Sequence, residues 1–223
     1  MYLRNKIKDN ARILVALMFV LAMAGCNCNK EKLYPINSGD LLFQANKNSR
    51  LVDAIINSTT SFDILSFNNV GIVIEENSNL YVIVANTVNG VEIMQLETFL
   101  KNSATTNDHK PMVIAKRLQD TTYISKSVKR AKALVGKPFD IAFLPNNEAI
   151  YGSELVYESY LDNNNNPLFS AHQMFFRDST GNTSQQWISF FESYNLEVPI
   201  GEFGTNPNDM ANEPILKEVY RFF

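Results

Sequence analysis

The chain has 223 residues, 45% hydrophobic and 19% charged, with 20 basic and 23 acidic side chains. That is enough apolar material for a domain with its own core, and the balance of charge excludes the clustered basic footprint of a nucleic-acid binder. Both cysteines, Cys26 and Cys28, lie near the N-terminus, so the rest of the chain has neither a disulfide framework nor a thiol.

The N-terminus reads as an export signal. Arg4, Lys6, Lys8 and Arg12 form a basic region, and Ile13 to Ala24 is an apolar run of 12 residues. A membrane-spanning helix needs about 20. The run ends in Ala24-Gly25-Cys26, the small-small-cysteine layout of a signal peptide that resembles a bacterial lipobox. The expectation is cleavage after Gly25, lipid on Cys26, and a bacterial cell-envelope location, on the outer membrane. Loss of residues 1–25 removes four basic and one acidic side chain, leaving 16 against 22 and a formal charge of −6. Residues 26–36 read as a polar tether, and residues 37–223 as one domain.

Within that domain the pattern is α+β. Gly39 to Gln44 opens as a short strand. Leu51, Val52, Ile55 and Ile56 recur at helical spacing behind Asn48 or Ser49 as N-cap. Val70–Ile74 and Leu80–Ala85 are β-branched runs joined by the polar Glu75–Asn79, which fits two buried antiparallel strands. Asn89-Gly90 is a tight-turn signal leading into Val91–Met94. Leu96–Leu100 suggests a helical turn and Met112–Leu118 another strand. Ser125–Val135 is amphipathic, with Val128, Ala131, Leu134 and Val135 inward, Lys126, Lys129, Arg130 and Lys132 in water, and Gly136 and Pro138 as its stop. Ser153–Leu161 and Ser184–Tyr194 read as further helices, the latter packing Trp187, Ile188, Phe190, Phe191 and Tyr194 on the sheet.

Four short segments occur in order: Gly39-Asp-Leu-Leu-Phe-Gln44, Asn68-Asn-Val-Gly-Ile-Val73, Gly136-Lys-Pro-Phe-Asp140 and Tyr151-Gly-Ser-Glu-Leu-Val156. Together they resemble the circularly permuted papain-like amidases of the NlpC superfamily, over roughly Gly39 to Leu161. The resemblance implies an antiparallel sheet or half-barrel packed against helices. It also implies a histidine in an early strand and a cysteine heading a later helix, the reverse of papain's order.

On that alignment the nucleophile position falls on Gly152, the general base on Asn69 and the orienting acid on Val84, with Asn86 or Glu92 brought in instead if the strand bulges. Glycine carries no nucleophile, and an asparagine amide takes up no proton at neutral pH. A thiol without a neighbouring imidazole would in any case lack the partner that makes a thiolate. Acyl transfer by the family route therefore requires other groups. Ser153 is the obvious substitute, but it needs a base, and the histidines His109 and His172 both fall in loop-like segments. Ser153 also reads as a helix-cap or packing residue, and Glu154 as a buried hydrogen-bonding group.

The expected site is thus a degenerate one, formed by Asn69, Tyr151, Gly152, Ser153 and Glu154, that binds a peptidoglycan peptide or acyl amide without cutting it. An active amidase using Ser153 is the alternative, and an accessory subunit presenting the Phe175-Phe176 or Phe222-Phe223 pair is a third. No metal-ligand spacing is present, and no cofactor is expected.

Overall fold

The computed structural model describes residues 33–45, 66–178 and 180–223. The signal, Cys26, most of the tether and the helix expected over 51–56 lie outside the described residues. Among the described residues, no helix is long and apolar enough to cross a membrane.

A six-stranded antiparallel sheet organises the domain. Its strands in chain order are β1 (Leu41–Gln44), β2 (Asn69–Glu76), β3 (Asn79–Asn86), β4 (Gly90–Gln95), β5 (Val113–Leu118) and β8 (Leu216–Arg221), and their order across the sheet is β4-β3-β2-β1-β5-β8. Two further strands, β6 (His172–Gln173) and β7 (Phe203–Gly204), form a separate ribbon. The helices are α1 (Leu96–Lys101), α2 (Ile124–Ala133), α3 (Gly152–Ser159), α4 (Gln185–Glu192) and α5 (Pro207–Ala211).

The central strands are apolar at nearly every position because both faces of the sheet are covered. On one face Leu41, Phe43, Val70, Ile72, Ile74 and Ile83 meet Leu155, Val156 and Tyr160 at α3, and Ala131 of α2. On the other, Leu42, Val73, Val82, Val84 and Val113 meet Leu96, Phe99 and Leu100 of α1, together with Ile36 and Phe222. Tyr34, from the end of the expected tether, packs on the rings of Tyr220 and Phe222. Burial of side chains this large supplies about 1.5–3 kcal/mol each before entropy is charged against it.

The strand expectations match the sheet closely. The polar loop expected at 75–79 is tighter than read: Glu75 pairs with Leu80 and Glu76 with Asn79, and Asn77 and Ser78 both take positive φ. That is the two-residue hairpin whose twist suits its strands.

Two packing expectations need correction. Val135 is 38% exposed, because α2 stops at Ala133, while Arg130 is half-buried rather than solvated. Its guanidinium donates to the carbonyls of Ser159 and Leu161 and to Asn165 Oδ1, tying α2 to the chain leaving α3. Trp187, Phe190 and Phe191 of α4 do not pack on the sheet either. They form a third apolar cluster with Phe143, Tyr151 and Phe176, and Tyr194 stays exposed.

One buried ion pair fixes the start of β1. Asp40, with no exposed surface, receives the Nε and Nη2 of Arg117 at 2.6 and 2.8 Å and the Asn37 N–H at 2.7 Å. Tyr160, fully buried, donates its hydroxyl to the Gly39 carbonyl at 2.8 Å. The beginning of β1 is thereby attached both to β5 and to the end of α3.

Candidate functional site

Gly152 is the first residue of α3, with Tyr151 as its extended N-cap. Asn69 opens β2, which lies next to β1 with Gln44 and Asn69 in register. The fold brings these two ends together. An ideal Cβ placed on Gly152 would sit 3.2 Å from Asn69 Oδ1 and, its chain neighbours Tyr151 and Ser153 apart, within 4 Å of no other side chain of the described residues. The positions expected for nucleophile and base are therefore neighbours in space, although 83 residues separate them in the chain.

Each neighbour is held from behind. Tyr151 is buried, and its phenol oxygen accepts the Thr205 N–H at 3.0 Å. Ser153 is buried, and its hydroxyl donates to the Thr205 carbonyl at 3.0 Å. These two bonds moor the first turn of α3 to the strand ending at Gly204. On the β2 side, the Phe67 N–H donates to Asn208 Oδ1 of α5 at 2.7 Å, and Asn69 Nδ2 donates to Gln44 Oε1 at 3.1 Å. Gln44 Nε2 in turn donates to the Phe99 carbonyl at 2.5 Å.

Glu154 is 7% exposed, and its Oε2 accepts the Tyr151 N–H at 3.1 Å. Burial pushes its carboxyl up to about 8; the Tyr151 N–H opposes the shift, nearby Asp140 and Glu158 add to it, and Lys137 counters it. At neutral pH Glu154 is thus mostly uncharged. Burial likewise raises the Tyr151 phenol to about 12, against the opposing bonds from Thr205. Asp140 is buried beside this pair and accepts the Ala142 and Leu144 N–H groups, both at 2.9 Å. Glu154 thus adds little charge of its own to the start of α3, where Asp140 and Glu158 are the acidic groups that act on it.

The third expected position lies elsewhere in character. Val84 is 1% exposed within the apolar cluster of Val73, Val82 and Phe99. No bulge moves another residue into its place: β3 pairs regularly with β2 and β4, and Val84 sits opposite Glu92. The Glu92 carboxylate is taken up by Asn86 Nδ2 at 2.5 Å and Asn89 Nδ2 at 2.9 Å. Ser153, the substitute nucleophile, has its proton directed at a peptide carbonyl, which is no base. His109 sits in an exposed turn closed by the Thr105–Pro111 bridge, and His172 is exposed on β6.

Gln44 and Thr205 went unassigned in the sequence, although both hold the site. Gln44 carries a signal: it is the polar residue closing an apolar strand. Thr205 carries none, because its contact with Ser153 spans 52 residues and no local pattern announces it.

A helix that opens on the position expected for the nucleophile, packed against an earlier strand that opens on the position expected for the base, is the order that the resemblance to permuted papain-like amidases implies. The chain belongs to the permuted papain-like amidase family of the YaeF/YiiX type, C92, whose model matches residues 35–220. A crystal structure of metalloprotein yiiX from Escherichia coli O157:H7 superimposes with a TM-score of 0.67 at 20% identity, covering 84% of this chain and 98% of that one, which is a likeness of fold. A comparison with curated proteins gives no match. Among the described residues, no group of three His, Cys, Asp or Glu side chains is placed to hold a metal ion.

Proposed function

We propose that this protein is a lipid-anchored, catalytically inactive member of its family that binds a cell-envelope peptide or acyl amide at the former reaction centre. The observation that carries the reading is the contact between Gly152 and Asn69. Two positions that serve an acyl transfer when they hold a thiol and an imidazole here hold a hydrogen atom and an amide, within one scaffold. The N–H groups of the first turn of α3 remain as donors for a carbonyl oxygen. The committed Ser153 hydroxyl counts against the alternative of a serine amidase.

The test is native mass spectrometry of the purified full chain with peptidoglycan stem peptides and N-acyl amino acids. Retention of an intact ligand is expected, with no hydrolysis product. Cleaved product, or the absence of any retained ligand, would overturn the reading. The double variant Gly152→Cys/Asn69→His restores the two missing groups and is expected to give a thiol that reacts with iodoacetamide faster than the Gly152→Cys single variant. The anchor is tested separately: the mature N-terminal peptide should carry diacylglycerol on Cys26, and Cys26→Ser should release the protein from membranes.

A further inference from the structure

The orientation of the Asn69 side chain is dictated by its neighbours. Gln44 is 1% exposed, and its Nε2 is spent on the Phe99 carbonyl. An amide has its donor nitrogen and acceptor oxygen on opposite sides, so this bond turns Gln44 Oε1 toward β2. An oxygen there accepts only, and the Asn69 group facing it must be the donor: Nδ2, at 3.1 Å. Two amides are thus chained in one direction, starting from a backbone carbonyl that has no alternative polarity.

The consequence appears at the far end of the chain. Asn69 Oδ1 is turned away from Gln44, toward Gly152. It accepts the adjacent Val70 N–H at 3.0 Å and keeps a second lone pair. The space a side chain at 152 would enter is therefore walled by a carbonyl-type oxygen, the one side-chain atom of the described residues within 4 Å of the Cβ point apart from the chain neighbours Tyr151 and Ser153.

We propose that Asn69 is the specificity determinant of this site, held in that role by Gln44, and that it selects a ligand presenting an N–H over the carboxylate of the same skeleton. The inference rests on the reading that a ligand binds at the former reaction centre. A primary or secondary amide gives Asn69 Oδ1 its missing proton. A carboxylate brings only lone pairs to that oxygen and is desolvated without a partner there. A site built to receive a hydrogen bond discriminates strongly against an analogue that cannot make it. Because the acid is what amide hydrolysis leaves, such a site holds uncleaved amide and lets the cleaved acid go.

The experiment measures affinities of the full chain, in detergent micelles at pH 7, for two matched pairs. The first is octanamide and octanoate; the second is a peptidoglycan stem pentapeptide as its C-terminal amide and as its free acid. The amide is expected to bind on the order of 10- to 100-fold more tightly in at least one pair. Asn69→Ala removes the acceptor and Gln44→Leu frees the Asn69 amide to flip; each is expected to bring the ratio within about threefold of unity. The ratio is read on folded, ligand-competent protein, so a loss of stability in the more buried Gln44 variant does not imitate the effect. Equal binding of amide and acid, or a preference that survives Asn69→Ala, overturns the assignment of Asn69 and leaves the binding reading standing. Failure of all four probes to bind overturns the binding reading itself.

Discussion

The buried carboxyl of Glu154 makes the stability of this domain fall across a pH range where most proteins are at their best. The group's ordinary value is about 4.3, and in the folded chain burial lifts it to about 8. Between those two values the folded state holds a proton that the unfolded chain has released. Stability is then fully present below about pH 4.3 and declines as pH rises through about 8, the reverse of a salt-bridged carboxylate. One proton of difference sets an upper limit of about 1.4 kcal/mol per pH unit, or about 2–3 kcal/mol between pH 5 and pH 7. That is a sizeable share of the 5–15 kcal/mol typical of a domain. Urea unfolding at pH 5, 6, 7 and 8 measures it directly. Glu154→Gln keeps an oxygen to accept the Tyr151 N–H and never ionises, so its profile should be flat where the parent's slopes, and the variant should be the more stable protein at pH 8. A parent profile flat from pH 5 to 8, or a slope that survives the substitution, would refute the assignment of a neutral Glu154 to the start of α3.

Three further outcomes follow from the packing. Arg117→Met leaves the fully buried Asp40 carboxylate with the Asn37 N–H but no cation, and should cost about 3–5 kcal/mol in urea unfolding, part of which Asp40→Asn recovers in the double variant. Gly90→Ala should lower the melting temperature well beyond Gly136→Ala: both glycines have positive φ, but a Cβ on Gly90 would lie 2.1 Å from the Lys137 carbonyl oxygen, while one on Gly136 meets nothing within 4 Å. Ser153→Ala should cost about 1–3 kcal/mol by leaving the buried Thr205 carbonyl without its donor, and should leave ligand retention in place, because its hydroxyl faces Thr205 and not the Gly152 side.

The sheet was legible in the sequence because its central strands are covered on both faces, which writes them as uninterrupted β-branched runs. β8 was missed for the converse reason. It is an edge strand, and its Leu-Lys-Glu-Val-Tyr-Arg carries enough exposed polar residues to look like a tail. α5 was missed although its start is written locally: Asn206 precedes Pro207, and its side chain accepts the Asp209 N–H, a capped first turn with proline at N1. α4 was found as a helix but sent to the wrong core. Helical periodicity says which residues go inward; it does not say which of three apolar clusters receives them. The site divides in the same way. Motif order singles out Asn69 and Gly152, which the fold makes neighbours, while the contacts around them, through Gln44, Phe99 and Thr205, are long-range and leave no periodic trace.

The glycine at 152 is not required by its backbone conformation. Its φ lies outside the left-handed region, so the backbone there would take any L-residue. Outside its own helix and its chain neighbours, a Cβ at the start of α3 would meet no backbone and no side chain other than Asn69 Oδ1, which would need to give by a few tenths of an ångström. The neighbouring amides are another matter. Gln44 lies buried with both ends of its amide bonded, and a desolvated amide left unpaired costs kilocalories, so this part of the scaffold resists change once built. On the proposed reading, position 152 has room for a Cβ, and Asn69, anchored through Gln44, sets the choice of ligand. It follows that ligand choice should respond more to substitutions at 69 and 44 than to Gly152→Ala, which adds one methyl group beside an oxygen whose orientation it does not control.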